Sequence, residues 1–231
     1  MKIKPFNLKI NKRLNKINDT IEEPLMKLND HCLFVAPTNS GKSTIVSNLL
    51  LGPLRNKFDQ IHIFSPTYNY DIYPKLMKID DENIHEIYND DMIDDILKEH
   101  KKIEEDKNKP IFTLLIFDDF QELFSRGSYL ENFICKCRHY NITIWVMAQY
   151  IKAISRKTRQ QFTGMVCFPV LSNEEDLNLI SETAPGSKKQ FFLACDAVKE
   201  IIKKTKNVHN FLWINKKLTD KYWFNFEQPI F

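Results

Sequence analysis

The segment at residues 36–44 reads Ala36-Pro37-Thr38-Asn39-Ser40-Gly41-Lys42-Ser43-Thr44. The apolar run before it, residues 32–35, has the composition of a buried strand, and the run after it, residues 44–50, has that of a helix. A strand, a short loop ending in Gly-Lys-Ser-Thr and a helix form the context of a phosphate-binding loop. The segment therefore predicts a nucleoside-triphosphate site.

The residue types of this segment suit a triphosphate. Backbone N–H groups of the loop and of the helix N-terminus point towards the phosphate oxygens and favour negative charge. Gly41 lets the backbone approach the phosphates closely. We expect Lys42 to neutralise the β- and γ-phosphates and the Ser43 hydroxyl to bind Mg²⁺. Ala36 stands where glycine is commonest, which is tolerable if the turn needs no positive φ. The predicted ligands are ATP and Mg²⁺, with all nine residues in contact with the nucleotide.

Length and composition fit one large α/β domain. The chain has 231 residues, of which 43% are hydrophobic and 12% aromatic, enough to build a substantial core. The net charge of +3 is too small to demand a polyanionic partner, but the first sixteen residues contain six basic and no acidic side chains. We therefore divide the chain into a basic N-terminal arm and cap, residues 1–28, and a single ATPase domain, residues 29–231. The arm either contacts nucleic acid or is a solvated end.

Cysteine use and hydropathy predict an intracellular protein without a membrane span. The five cysteines are odd in number and lie mostly in apolar surroundings, so we expect them to be reduced. The N-terminus has no apolar stretch of signal-peptide length. No run approaches the roughly 18 apolar residues that a transmembrane helix needs.

Strand-like and helix-like segments alternate along the chain, which predicts a mainly parallel sheet flanked by helices. The predicted strands are residues 31–36, 60–65, 83–88, 111–117, 142–148, 165–170, 190–195 and 210–214. The predicted helices are residues 43–51, 72–79, 92–105, 129–139 and 174–183. We expect the last two strands to form a C-terminal antiparallel appendage at the sheet edge.

A second chemical signal follows the strongest buried strand, which ends in Asp118-Asp119. A phosphate-binding-loop enzyme needs a carboxylate at this place to hold Mg²⁺, usually through water, and Asp118 fits that role. Water is a poor nucleophile, so a fixed general base matters. We predict that Asp119 orients and deprotonates the attacking water, with Glu122 as its competitor.

A third signal is Gln149, which ends another apolar strand. In the additional-strand type of phosphate-binding-loop fold, this strand would lie between the first strand and the acidic strand. Gln149 would then point at the γ-phosphate, where it would sense hydrolysis or help to place the water. The alternative interpretation is an ordinary polar strand end.

The acid pair Asp118-Asp119, the pair Arg138-His139 and the apolar strand ending in Gln149 resemble the FtsK–HerA superfamily of DNA-pumping ATPases. The resemblance is greatest to the poxvirus-type DNA-packaging ATPases of large DNA viruses and virophages, and it extends over about residues 33–170. It implies a homo-oligomeric ring with ATP bound between subunits, which moves double-stranded DNA into a capsid without reading its sequence. Capsid or portal proteins are the implied partners, and the host cytoplasm (viral factory) or the virion is the implied location.

The resemblance also implies that an arginine of the neighbouring subunit stabilises charge on the γ-phosphate. Arg138 is the preferred candidate and Arg159 is the other. The second acid is aspartate where the family has glutamate, which shortens the reach of the base by one carbon. Basic residues that would grip DNA phosphates are Lys152, Arg156, Lys157 and those of the segment 199–206.

Three other functions stay open at this point. A helicase or replication-initiation ATPase would use the same site and separate strands. A nucleoside or nucleotide kinase would need an acceptor pocket and an arginine-rich lid, which the sequence does not show, and would leave Gln149 without a role. An inactive nucleotide-binding adaptor is disfavoured by the intact Lys42, Ser43, Asp118 and Asp119.

Overall fold

The computed structural model describes residues 12–67 and 79–231, and in these ranges the chain forms a nine-stranded sheet flanked by helices. The strands are β1 (Cys32–Val35), β2 (Gln60–Phe64), β3 (Ile84–His85), β4 (Thr113–Asp118), β5 (Ile142–Ala148), β6 (Gly164–Cys167), β7 (Leu212–Asn215), β8 (Tyr222–Phe224) and β9 (Gln228–Pro229). The helices are α1 (Lys12–Asn18), α2 (Lys42–Leu51), α3 (Asp90–Lys107), α4 (Tyr129–Phe133), α5 (Arg156–Gln161), α6 (Glu174–Ser181) and α7 (Lys188–Thr205). Short 3₁₀ turns occur at Asp81–Asn83, Gln121–Phe124 and Cys137–Tyr140.

The sheet has the order β3-β2-β4-β5-β1-β6-β7-β8-β9. The strands from β3 to β6 are parallel, and β7, β8 and β9 pair antiparallel. The predicted fold, a mainly parallel sheet with a C-terminal antiparallel appendage, is confirmed. The strand β5 lies between β1 and β4, which is the condition under which Gln149 was expected to face the γ-phosphate.

Both faces of the sheet are covered, as the continuous apolar runs predicted. Successive residues of a strand point to opposite faces. In β1, Leu33 and Val35 pack with the apolar residues of α3, α4, α6 and α7, whereas Cys32 and Phe34 pack with those of α2. The central strands are therefore held rigidly between two apolar layers, and the loops at their ends start from fixed positions.

One predicted strand is wrong, because residues 190–195 lie inside α7. Ser187 and Gln190 form a reciprocal capping box at the start of this helix, which satisfies backbone donors of its first turn. The buried residues follow the helical period, and they are Phe191, Ala194, Cys195, Val198 and Ile202. The apolar stretch was too short to reveal this period when taken without the residues that continue it.

Other differences concern the ends and the short elements. The predicted helix at residues 72–79 falls almost entirely outside the described residues. The predicted helix at 129–139 divides into α4 and the 3₁₀ turn Cys137–Tyr140. The predicted strand at 83–88 shortens to β3. Four elements, α1, α5, β8 and β9, are not among those predicted from the sequence.

The described part of the N-terminal arm and cap packs against the rest of the chain. Arg13 donates from its two terminal nitrogens to the carboxylate of Asp59 at 2.9 and 2.8 Å. Ile21 and Met26 are buried in the apolar layer that contains α2, and Leu28 is buried as well. Residues 1–11, which carry the first three lysines of the arm, lie outside the described residues. Within residues 12–67 and 79–231, no helix has both the length and the apolar composition that crossing a membrane requires.

Candidate nucleotide site

Residues 36–44 comprise a loop, residues 36–41, that leads from the carboxyl end of β1, and the first three residues of α2. The backbone N–H of Ala36 donates to the carbonyl of Ala148 at 3.1 Å, which continues the pairing with β5. Asn39 and Gly41 have φ values of 62° and 100°, a left-handed conformation that glycine and asparagine adopt most readily. Ala36 is not among the residues with positive φ, so its side chain introduces no backbone strain in place of glycine.

A cavity of 720 Å³ opens above this loop, within the usual range of about 300–1,000 Å³ for ligand sites. Residues 38–45 form its floor. Asp118 and Asp119 line it on one side, and Asn207 and His209 line it on the other. The start of α2 faces the cavity, so backbone N–H groups are available to an anion.

Lys42 lies at the base of this cavity and is 7% exposed. Its Nζ donates to the carbonyls of Ala36 at 2.6 Å and Pro37 at 3.1 Å. Burial lowers the pKa of the Lys42 ammonium, and the charges of Asp119 and Asp118 oppose that shift. The loop thus holds a cation beside its own backbone donors, which suits the binding of phosphate groups.

The acid pair lies at the end of β4, with Asp118 as the last residue of the strand and Asp119 directly after it, and it contacts the end of β5. Asp119 has a φ of 57°, and its N–H donates to the carbonyl of Met147 at 3.0 Å. Gln149 donates from Nε2 to Oδ2 of Asp119 at 2.9 Å. The second oxygen, Oδ1 of Asp119, is buried and has no partner among the described residues. One oxygen therefore accepts a hydrogen bond from an amide, and the other has an unused capacity to accept one.

Asp118 has the most perturbed carboxyl group of the site. Burial, followed by the neighbouring charge of Asp119, raises the pKa of Asp118 to about 7, against the opposing effect of Lys42. A nearby cation would stabilise the charged form of this carboxylate.

The oxygen donors of the site fit Mg²⁺. The Ser43 hydroxyl and the Asp118 carboxylate line the same cavity. Mg²⁺ is commonly bound by one or two protein oxygens together with substrate phosphates and water. In the part of the chain that the structure describes, no group of three or more His, Cys, Asp or Glu side chains is placed to hold a metal. An ion here would therefore depend on the phosphates for much of its coordination.

Arg138 lies away from this cavity in its own chain. It belongs to the 3₁₀ turn that precedes β5, and the full length of β5, about 20 Å at 3.3 Å per residue, separates that turn from Gln149. The guanidinium donates to the carbonyl of Gln161 at 2.6 Å. Contact between Arg138 and a γ-phosphate would require a neighbouring chain, and that role stays a prediction.

Arg159 is also outside the cavity. It lies in α5, is 8% exposed and donates to the carbonyl of Leu179 at 3.3 Å. Glu182 lies 3.9 Å from the same guanidinium. Arg159 therefore links α5 to the end of α6, which is a structural role.

His209 and Asn207 also line the cavity, although neither is among the site residues predicted from the sequence. They lie between α7 and β7, and Nδ1 of His209 is 2.9 Å from the carbonyl oxygen of Ser40, 169 positions away. Because β7 runs antiparallel to β6, the start of β7 lies at the same edge of the sheet as the carboxyl end of β1. The sequence predicted that this strand is antiparallel. The strand order was needed to show that the residues before it reach the nucleotide loop.

The chain matches a known protein family over most of its length. The family described as Poxvirus A32 protein matches residues 21–218. The DNA packaging protein OPG160 of Variola virus is 25% identical over 173 residues, which are 73% of this chain and 64% of that protein. The protein of the same name from Vaccinia virus (strain Copenhagen) is 25% identical over 171 residues, 72% of this chain and 63% of the relative. The chain thus spans less than two thirds of the length of these relatives.

Solved structures share the fold. B204, the DNA-packaging ATPase from Sulfolobus turreted icosahedral virus, has a TM-score of 0.61 at 17% identity, covering 89% of this chain and 100% of its own. The genome packaging NTPase B204 from Sulfolobus turreted icosahedral virus 2, in complex with AMP, has a TM-score of 0.60 at 16% identity with the same coverage. The resemblance to poxvirus-type packaging ATPases is confirmed at the level of the family. The matched region contains the loop, the acid pair and Gln149, and the chain belongs to the Poxvirus A32 protein family.

Proposed function

We propose that this chain is an ATP-hydrolysing motor that translocates double-stranded DNA and packages a viral genome into a capsid. One observation carries the proposal: Lys42, the acid pair and Gln149 meet at the carboxyl edge of three adjacent strands, with Gln149 bound to Asp119 at 2.9 Å. The names of the relatives, a DNA packaging protein and a DNA-packaging ATPase, support the choice of DNA as the cargo.

The residues divide the work of hydrolysis between binding and proton transfer. The N–H groups of residues 38–44 and the Lys42 ammonium bind the phosphates. Asp119 takes the proton of the attacking water as that water bonds to the γ-phosphorus and the bond to ADP breaks. Gln149 holds Asp119 in place through Oδ2. Ser43 and Asp118 would hold Mg²⁺, which when bound neutralises charge on the phosphates.

The charge balance of the cavity supports a ring. Among the described residues, Lys42 is the one Lys or Arg side chain that lines the cavity. The γ-phosphate, however, gains negative charge in the transition state. A second cation from a neighbouring chain would balance that charge. Arg138 is our candidate because it lies at the opposite edge of the sheet, where it is out of reach of its own nucleotide.

DNA would be held through its phosphates without base contacts. Several candidate cations are already paired on the surface: Lys152 with Glu175 at 2.9 Å, Lys199 with Asp196 at 3.2 Å and Lys203 with Glu200. Exposed ion pairs of this kind are weak, so they do not prevent contact with a polyanion. In the described part of the chain, Arg156, Lys204 and Lys206 form no ion pair, which makes them the first positions to test.

The decisive experiment measures phosphate release from ATP with and without duplex DNA at low salt. We expect DNA to stimulate turnover, and we expect rising salt to remove the stimulation because phosphate contacts release counterions. A lack of both binding and stimulation would reject DNA as the cargo. Transfer of phosphate to a nucleoside would instead indicate a kinase. Separation of strands, without movement along intact duplex, would indicate a helicase.

Assembly is tested separately. We expect a homo-oligomer in the presence of a non-hydrolysable ATP analogue and duplex DNA, measured by light scattering. Capsid or portal proteins are the expected partners, and the host cytoplasm or the virion is the expected location. A chain that stays monomeric under these conditions would leave no source for a cation in trans.

A further inference from the structure

Ser65 lines the nucleotide cavity on the side of the acid pair opposite to Gln149. It directly follows β2, which pairs in parallel with β4 on the side of β4 that faces away from β5. The register joins Phe64 to Phe117, so Ser65 and Asp118 are the next residues of the two chains in that register. The acid pair therefore has an amide from the end of β5 on one side and a hydroxyl from the end of β2 on the other.

The hydroxyl of Ser65 is buried and unpaired. The residue is 2% exposed, and its Oγ has no hydrogen-bond partner among the described residues. A buried polar group without a partner costs free energy of folding. Oδ1 of Asp119 is in the same condition, and both residues line the cavity. A molecule that binds there could therefore pair with both atoms.

Contacts on both sides hold Ser65 in place. Its backbone N–H donates to the carbonyl of His85 at 2.9 Å, which ties it to β3. The ring of the preceding residue, Phe64, stacks on Phe117 with a centroid distance of 4.7 Å and an angle of 7° between the ring planes. Phe117 directly precedes the acid pair, so the stacked rings limit changes in the spacing between Ser65 and the acids. Groups that are fixed in this way need little rearrangement during a reaction.

The strand order places Ser65 on the side from which water would attack. The phosphate-binding loop follows β1, the acid pair ends β4 and Ser65 follows β2, and the strands lie in the order β1, β5, β4, β2. In phosphoryl transfer the attacking oxygen stands roughly in line with the bond that breaks, on the far side of the γ-phosphate from ADP. Because the loop binds the phosphates, the water lies towards β4 and β2. A neutral hydroxyl can contact water there without repelling the phosphate.

We propose that the Ser65 hydroxyl holds the attacking water beside Asp119. The proposal rests on the proposed ATPase function and adds a second contact for the reacting water. One hydrogen of the water points to Oδ1 of Asp119, which takes that proton as the water oxygen bonds to the γ-phosphorus and the bond to ADP breaks. The other hydrogen points to Oγ of Ser65 and stays on the product phosphate. With both hydrogens held, a lone pair of the water is directed at the phosphorus.

The first test compares Ser65→Ala with Ser47→Ala in the full chain, with Mg²⁺ and duplex DNA. Ser47 is the matched control: it is 7% exposed, its Oγ also has no partner among the described residues, and it lies on α2 outside the lining of the cavity. We expect Ser65→Ala to lower kcat about tenfold with little change in KM, the scale of one hydrogen bond made in the transition state. We expect Ser47→Ala to leave kcat unchanged.

Two phosphate analogues distinguish a contact to the water from a structural role. ADP with aluminium fluoride imitates the transition state and includes the attacking water, whereas ADP with beryllium fluoride imitates the γ-phosphate before attack. Titration with each complex measures affinity without turnover. We expect Ser65→Ala to weaken the aluminium fluoride complex about tenfold and to leave the beryllium fluoride complex unchanged. Unchanged affinity for both complexes, or equal weakening of both, would overturn the proposal.

A second variant keeps the test decisive if Ser65→Ala does not fold. Ser65→Cys retains the shape of the side chain but offers only a thiol, which is a weak hydrogen-bonding group, and we expect the same loss of kcat. If the unaltered chain hydrolyses ATP and a folded Ser65 variant matches Ser47→Ala in kcat, the water is held elsewhere and the chain is still an ATPase. If the unaltered chain does not hydrolyse ATP, the proposed function is rejected together with the role of Ser65.

Discussion

Gln149 donates from Nε2 to Oδ2 of Asp119 at 2.9 Å, although the two residues are 30 positions apart. They follow the adjacent strands β5 and β4, and the left-handed conformation of Asp119 accompanies this contact. The contact engages one carboxylate oxygen, whereas the other, Oδ1, is buried and has no hydrogen-bond partner among the described residues. In the proposed mechanism, this amide from the next strand holds the aspartate that acts as the base.

Replacing Asp119 by Asn should preserve ATP binding and stop hydrolysis. Asparagine is nearly the same size, tolerates positive φ and still accepts from Gln149, so the fold should be retained. An amide cannot take the proton of water, and we expect kcat to fall by about 100-fold or more. Normal turnover would show that Asp119 is not the base. Glu122, which accepts from the hydroxyl of Tyr150, would then be tested next.

Replacing Gln149 by Leu should lower kcat by about tenfold with little change in KM, because its amide contacts Asp119, the proposed base, and is not among the described residues that line the cavity. The measurement is steady-state kinetics on the single variants and on the double variant with Asp119→Asn. Since the two side chains are in contact, their effects should not add. Additive losses in the double variant would show that Gln149 acts independently of Asp119.

Replacing Lys42 by Ala should abolish turnover, with a loss of about 100-fold or more for removal of a charge that stabilises the transition state. Nucleotide binding should weaken as well, since the ammonium lies in the loop. Phosphate release and nucleotide titration measure the two effects, with Lys102→Ala as the exposed control. Unchanged genome packaging by the Lys42 variant would instead support an adaptor that binds nucleotide without hydrolysing it.

Mixing experiments test the arginine in trans. A ring made from Arg138→Ala and Lys42→Ala chains contains interfaces at which one chain supplies an intact loop and its neighbour supplies Arg138. We expect the mixture to recover ATPase activity that neither variant has alone. Because Arg138 also donates to the Gln161 carbonyl, the thermal stability of the variant must be measured in parallel. A mixture that stays inactive while both variants are folded would remove the assignment of Arg138 and leave the remainder of the site intact.

His62 should make the fold sensitive to acid. It is 2% exposed, and burial, followed by the neighbouring His85, lowers the pKa of His62 to about 4. The unfolded chain, with a histidine pKa of about 6.5, binds more protons between these values. The contribution is therefore complete above about pH 6.5 and is lost as the pH falls towards 4.

The measurement is the free energy of unfolding in urea at pH 7 and pH 5. We expect this residue to account for about 2 kcal/mol of the loss between the two pH values. The variant His62→Gln should show a correspondingly smaller loss, whatever its stability at pH 7. Equal losses in the variant and the unaltered chain would show that His62 does not titrate in this window.

Much of the site was predictable because its parts are local patterns. The segment at residues 36–44, the acids at the end of β4 and the amide after β5 each lie at the end of an apolar strand or within a few positions of it. The prediction of a strand at residues 190–195 was wrong because that short segment does not by itself show its helical period. Five apolar residues fit either period, and only the residues up to Ile202 showed the helix.

Residue order along the chain was sufficient to predict the phosphate-binding loop and to propose chemical roles for Lys42, Asp118 and Asp119, because each prediction depends on backbone and side chains within a few residues. The pairing of β5 between β1 and β4, and the arrival of His209 beside Ser40 from 169 positions away, came from packing. Strand adjacency reflects the total burial of two apolar layers on one sheet, a sum over distant contacts that no short segment contains.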